Sequence, residues 1–106
     1  MVNLQDFQKL EMIIAEIKEV TEHPNADRLY LLKVDTGSEI KQVVAGIRTS
    51  YAKEDLLGKK VVIINNLEPA VIRGETSQGM VLCASKGEQL SILQPQRDVA
   101  PGSKIR

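Results

Sequence analysis

The sequence predicts an all-β domain: a small barrel of five or more short strands with one short helix between the third and the fourth. Three observations point there. Short apolar runs recur at close, regular intervals, and glycine, proline, asparagine and aspartate separate them. The apolar content is aliphatic: 42% of the 106 residues are hydrophobic, but only Phe7, Tyr30 and Tyr51 are aromatic, so Val, Ile and Leu must build the core. A single stretch, residues 49–58, breaks the strand-like pattern between apolar runs. A chain of this length is one domain, residues 1–106, with enough residues to bury one core.

The first element is ambiguous. Leu10, Ile13, Ile14, Ile17 and Val20 fall at i, i+3, i+4, i+7 and i+10, which is helix spacing. Glu11, Glu16, Lys18 and Glu19 suit a helix surface. The same residues also fit a bent strand with a bulge, but spacing alone predicts a helix. His23-Pro24-Asn25-Ala26-Asp27 then breaks the chain, because Pro24 fixes its own φ and biases His23 away from the helical region. Residues 29–35 read as a strand, Thr36-Gly37-Ser38 as a tight turn, and residues 40–47 as the returning strand. In residues 49–58, Ser50 is the expected cap, Leu56 and Leu57 the expected buried pair, and Gly58 stands where a helix C-terminal glycine belongs. Residues 61–67 form a buried strand. Pro69 interrupts before residues 70–72. Residues 80–84 and 90–93 complete the strands. This order of elements is the layout of the oligonucleotide-binding (OB) barrel, a fold that hosts many functions.

Residues 70–85 organise the rest. Two apolar runs flank a polar crossing, with Arg73 closing the first and Met80 opening the second. Gly74 and Gly79 lack a Cβ, so the backbone there can take positive φ or approach another chain closely. Glu75, Thr76, Ser77 and Gln78 between them all form hydrogen bonds. Held by rigid strands, such a crossing can place a binding surface; an ordinary connection meeting only water is the alternative.

Several chemistries find no support. One His and one Cys, far apart, give no paired-ligand spacing for a metal. His23 is the lone imidazole and precedes a proline in a loop, where a solvated or structural role is the usual one. There is no G-x-x-x-x-G-K-[ST] loop and no G-x-G-x-x-G fingerprint. The longest apolar runs, such as residues 61–64, are too short to span a membrane, and the first residues lack the basic and apolar regions of a signal peptide. Cys83 has no disulfide partner and reads as a small core residue in a reducing compartment. Catalysis, a cofactor and a metal are therefore not expected.

Net charge is zero but unevenly spread: residues 1–27 carry six acids and two bases, and residues 28–73 carry eight bases and five acids. Arg28, Lys33, Lys41, Arg48, Lys53, Lys59, Lys60 and Arg73 can supply phosphate contacts, and Tyr30 and Tyr51 can stack on bases. Met80 can touch a base or a ribose. For each residue a plain structural role is the alternative; a basic face on an OB-like layout favours nucleic acid.

The motifs themselves resemble a known family. His23-Pro24-Asn25-Ala26-Asp27-Arg28-Leu29-Tyr30 begins the likeness. It continues through Leu32-Lys33-Val34-Asp35-x-Gly37, Gln42-Val43-Val44-Ala45-Gly46-Ile47, Leu57-Gly58-Lys59-Lys60-Val61, Asn66-Leu67-x-Pro69-Ala70 and Ile72-Arg73-Gly74, and ends in Ser77-Gln78-Gly79-Met80-Val81-Leu82. The chain is similar over nearly its whole length to the tRNA-binding domain. That domain occurs as a stand-alone bacterial dimer, as an extension or β subunit of methionyl-tRNA synthetases, and in endothelial monocyte-activating polypeptide II. The resemblance implies a five-stranded OB barrel with extra terminal segments and no catalysis of its own. It implies a cytoplasmic homodimer that grips folded tRNA by shape, alone or with methionyl-tRNA synthetase. It implies an RNA surface of Asn25, Arg28, Lys33, Lys41, Arg73, Ser77, Gln78 and Met80, and a dimer built by segments outside the barrel, for which Leu4, Phe7 and residues 92–105 are candidates. It also replaces the helix over 12–21 with a long, bent strand. Met12-Ile13-Ile14-Ala15 departs from the family's Asp-Leu-Arg-Val-Gly, which puts an RNA role of the first strand in doubt. A related branch is a chaperone-like dimer associated with protein export. It usually lacks the paired His-Pro-x-Ala-Asp and Ser-Gln-Gly-Met motifs that stand together here.

Overall fold

The computed structural model describes residues 1–106. Its frame is one long strand, β1 (Met12–Glu22), which pairs with β2 (Tyr30–Asp35) through its second half and with β4 (Lys60–Ile64) through its first. β3 (Ile40–Ala45) lies outside β2, and β7 (Met80–Val81) outside β4, giving a five-stranded antiparallel sheet in the order β3-β2-β1-β4-β7. Two hairpins complete the strands: β5 (Ala70–Ile72) with β6 (Glu75–Ser77), and β8 (Cys83–Lys86) with β9 (Gln89–Ile92). The short helix α2 (Lys53–Leu56) lies between β3 and β4, so the chain is all-β with the OB layout.

The helix spacing of residues 10–20 has a strand explanation. Ile13, Ala15 and Ile17 alternate inward, as a strand requires. A bulge between Ile17 and Glu19 then sets two residues against one, and Val20 comes back to the core opposite Leu32. The bulge turns a period of two into a step of three. Ile14 faces the other way, yet it too is buried, because residues 102–105 run beside β1: the Ile14 N–H donates to the Ser103 carbonyl at 2.9 Å and the Gly102 N–H to the Ile14 carbonyl at 2.7 Å. One bulge and one covering segment thus reproduce the apolar positions of a helix.

The core is aliphatic. Ile17, Leu32, Val34, Val43, Leu56, Val61 and Ile63 are fully enclosed, each worth roughly 1.5–3 kcal/mol of burial. Leu56 enters this core from α2, but Leu57 is 56% exposed, so only the first of the expected pair is buried. Ser50 does not cap α2; the N-cap is Ala52, with no side-chain bond. Gly58 follows the helix with φ 83° as expected. Tyr30 and Tyr51 are structural: the Tyr30 hydroxyl donates to the Tyr51 carbonyl at 2.7 Å, and the Tyr51 hydroxyl accepts from the Ile92 N–H at 3.1 Å. Both rings pack in or against the core and are not displayed for stacking.

Residues 74–79 are not a simple crossing. Arg73 and Gly74 form a two-residue turn between β5 and β6, with φ of 52° and 91°. The expected strand over 80–84 is split at Leu82 into β7 and β8. Outside the barrel, a helix that the sequence reading did not anticipate, α1 (Leu4–Gln8), starts at Asn3, whose Oδ1 accepts from the Asp6 N–H. None of its residues is buried.

Candidate nucleic-acid interface

The barrel closes through side chains and one backbone bond. Between β3 and the β6–β7 segment, the Gln42 N–H donates to Gln78 Oε1 at 3.0 Å, and the Gln78 N–H donates to the Gln42 carbonyl at 2.8 Å. The Val44 N–H donates to Ser77 Oγ at 3.0 Å, and that hydroxyl donates to the Gly79 carbonyl at 3.0 Å. Gly79 lies so close to β4 that a Cβ would sit 2.9 Å from the Ile64 carbonyl oxygen. Ser77 is 4% exposed. Ser77 and Gln78 therefore form the seam of the barrel, and their polar atoms face β3.

Beside this seam, two walls face each other. One is the β1–β2 loop, residues 23–29; the other is the β5–β6 hairpin. Arg73 Nη2 donates to the Asn25 carbonyl at 3.0 Å, and Asn25 Nδ2 donates to the Arg73 carbonyl at 3.4 Å. Asn25, Arg28 and Arg73 line one open concavity of about 430 Å³ with Ala26, Asp27 and Leu29. Arg73 is the single non-glycine residue of the chain with positive φ. In that conformation its Cβ crowds the following carbonyl, at a cost of about 1–2 kcal/mol. Positive φ at both Arg73 and Gly74 is what a two-residue hairpin turn requires, and glycine or asparagine adopts it more readily than arginine.

Lys33 extends the same face. It stands opposite Gln42, which donates through Nε2 to the Thr76 carbonyl at 2.9 Å and so leads to the hairpin. Met80 lies across the seam, 49% exposed, while its neighbour Val81 packs on the core. Lys41 does not join this group. It is in register with the inward Val34, and its ammonium donates to the Asn65 carbonyl at 3.0 Å, at the end of the barrel.

Charge pairing sorts the remaining cations. Arg48 and Lys53 both engage Glu22, and Lys60 engages Asp98. Arg28, Lys33, Lys41, Lys59 and Arg73 have no carboxylate within salt-bridge distance, and of these Arg28 and Arg73 stand at the concavity. The charge counts of the sequence could not separate these two sets. No cluster of three or more His, Cys, Asp or Glu is placed to hold a metal, and no helix is long and apolar enough to cross a membrane.

His23 is the residue whose part the sequence reading left open. It is 3% exposed between the two walls. The Asn25 N–H donates to its Nδ1 at 2.9 Å, and its Nε2 lies 3.0 Å from the Ile72 carbonyl. Its position before Pro24, in the loop that carries Asn25 and Arg28, and its place at the head of the His-Pro-x-Ala-Asp motif were the available signals.

Comparison with known proteins agrees with this architecture. Residues 12–104 match the family model described as "Putative tRNA binding domain". The methionine–tRNA ligase of Thermococcus onnurineus (strain NA1) is 50% identical over 105 residues, which are 99% of this chain and 14% of the ligase. The chain therefore spans a small part of the length of such relatives. Among solved structures, the MetRS related protein from Pyrococcus horikoshii superimposes with a TM-score of 0.94 at 27% identity, over 100% of this chain and 98% of the other. The CsaA chaperone protein from Picrophilus torridus does so with a TM-score of 0.93 at 33% identity, over 100% of both chains.

Proposed function

The chain belongs to the tRNA-binding domain family, and on that premise we propose that it binds folded tRNA by shape and charge, as a homodimer and without catalysis of its own. The observation that carries this reading is the placing of Arg28 and Arg73, neither paired with an acid, around the concavity between the β1–β2 loop and the hairpin, with Lys33, likewise unpaired, on the outer face of β2. Such cations neutralise phosphates and release counterions. Asn25 hydrogen-bonds the ribose-phosphate backbone or a base edge. Met80 supplies an apolar contact. Ser77 and Gln78 serve the surface by holding the seam on which Arg73 and Met80 are mounted. Lys41 contributes its charge from the end of the barrel.

The dimer is the second part of the proposal. Leu4 and Leu10 are exposed beside the half-buried Phe7 and Ile105. A two-fold contact across this apolar patch brings two RNA surfaces to bear on one tRNA. Association with a methionyl-tRNA synthetase, in the cytoplasm, is the third part of the proposal, and the ligases that carry a similar domain support it. The full-length likeness to CsaA supports a second reading, a chaperone-like dimer that binds polypeptide.

The test is tRNA binding across a salt series, with duplex RNA, single-stranded RNA and an unfolded polypeptide as competitors. Three phosphate contacts predict a slope of log K on log salt of about −2 to −3, doubled when two chains engage one tRNA. Binding that prefers the unfolded polypeptide and ignores salt moves the assignment to the chaperone reading.

A further inference from the structure

We propose that His23 is a positioning residue for RNA recognition: its imidazole fastens the β1–β2 loop to the β5–β6 hairpin and sets the spacing of Asn25 and Arg28 from Arg73. The proposal rests on the tRNA-binding reading above.

The hydrogen bonds fix the state of the ring. A backbone N–H can only donate, so Nδ1, which receives the Asn25 N–H at 2.9 Å, carries no proton. The ring proton is therefore on Nε2 and is donated to the Ile72 carbonyl at 3.0 Å, across 49 residues of chain. One side chain thus bonds both walls of the concavity.

Little else holds those walls together. In the loop, Pro24, Asn25, Asp27 and Arg28 are exposed, and in β5 so are Ala70 and Val71. The two bonds between Asn25 and Arg73 are also exposed, where water competes for every donor and acceptor. The imidazole bond is the more sheltered one, part-buried and made by a ring that is itself 3% exposed. It orders the walls before RNA arrives, so less ordering remains to be done on binding.

Two substitutions separate the two halves of this bridge. His23→Asn keeps an acceptor near the position of Nδ1 and loses the donor to Ile72. His23→Gln keeps a donor near the position of Nε2 and loses the local acceptor. Amide hydrogen exchange is measured on the free proteins, and tRNA affinity in parallel. In His23→Asn the hairpin amides exchange faster while the Asn25 amide stays protected, and affinity falls about fivefold, the loss of one hydrogen bond of ordinary strength. In His23→Gln the pattern reverses and affinity stays within about twofold of the unaltered chain. Equal affinity of His23→Asn and the unaltered chain overturns the proposal, as does His23→Gln binding no better than His23→Asn. Imidazole 15N shifts of the unaltered protein test it with no variant at all: Nε2 protonated and Nδ1 bare supports the latch, and the opposite tautomer overturns it. If the unaltered chain shows no preference for tRNA while the hairpin amides still respond as stated, the latch stands and the tRNA reading falls, so the two failures are distinct.

Discussion

Two flanks of the barrel are fastened by the same means and display opposite chemistry. At one, Asn25 and His23 tie the β1–β2 loop to the hairpin. At the other, Asn66 Oδ1 accepts the Glu11 N–H at 2.8 Å, Asn66 Nδ2 donates to the Lys9 carbonyl at 2.8 Å, and Asn65 Nδ2 donates to the Glu11 carboxylate at 2.7 Å. Both use polar side chains to pin a segment that buries little apolar surface. The first then exposes Arg28 and Arg73, the second Leu4 and Leu10. Anchoring is thus separate from display. A segment held by hydrogen bonds need not bury its other side chains, so those remain free for a partner. Unpaired cations suit a polyanion and clustered aliphatics suit a protein surface, so the two flanks divide the proposed work.

The largest effect is expected at the apolar flank. Leu4→Asp with Leu10→Asp places two charges in the proposed two-fold contact. The sedimenting mass should fall to that of one chain, and tRNA affinity should fall about a hundredfold as paired binding is lost. A native chain that already sediments as a monomer breaks the comparison at once. Next is the seam. Ser77→Ala leaves the Val44 N–H without its acceptor, and denaturant unfolding should show a loss of about 1–3 kcal/mol. RNA binding should weaken as well, since the seam carries the hairpin.

At the cationic flank, Arg73→Ala should weaken tRNA binding about five- to tenfold and reduce the salt slope by about one, leaving the unfolding midpoint nearly unchanged. Arg73→Asn sharpens the point. Asparagine suits a turn position with positive φ, so this variant should gain up to about 1 kcal/mol of stability while binding as poorly as Arg73→Ala. A variant that gained stability and kept its affinity would show that the strain at Arg73 serves no RNA contact. The smallest effect lies on neither flank. Burial pushes the Cys83 thiol above its ordinary value. The folded chain holds that proton more tightly than the unfolded one, so the contribution is complete below the ordinary thiol range and is lost as pH rises through the raised value. Cys83→Ala should flatten this alkaline decline in a pH series of unfolding, and native Cys83 should alkylate more slowly than a free thiol at neutral pH.

Much of this architecture was readable from residue order. The strands, the helix ended by Gly58 and the family motifs all have local signals, because turn residues and alternation act over a few positions. Other features escaped for identifiable reasons. Residues 10–20 carry helix spacing because a bulge at Lys18 and a distant C-terminal segment act on the same strand. Tyr30 and Tyr51 look like stacking platforms until their hydroxyls are seen bonding inside the barrel. Ser77 and Gln78 look like surface hydrogen-bonders, yet their partners on β3 are more than thirty residues away. Lys33 and Lys41 seem equivalent in sequence, but they stand on opposite faces of the sheet. Which of the middle cations is neutralised depends on where Glu22 and Asp98 arrive. Tertiary geometry decides each of these.

The side-chain seam also orders events in time. Its bonds join residues separated by 33 to 36 positions, a loop whose closure entropy must be met before the bonds repay it. The β1–β2–β3 meander can form while residues 77–79 are still unstructured. The hairpin that carries Arg73 gains its place against β3 only when Ser77 and Gln78 dock. A chain growing on the ribosome therefore completes the proposed RNA surface only after the β1–β2–β3 meander has formed, so the meander alone does not present it.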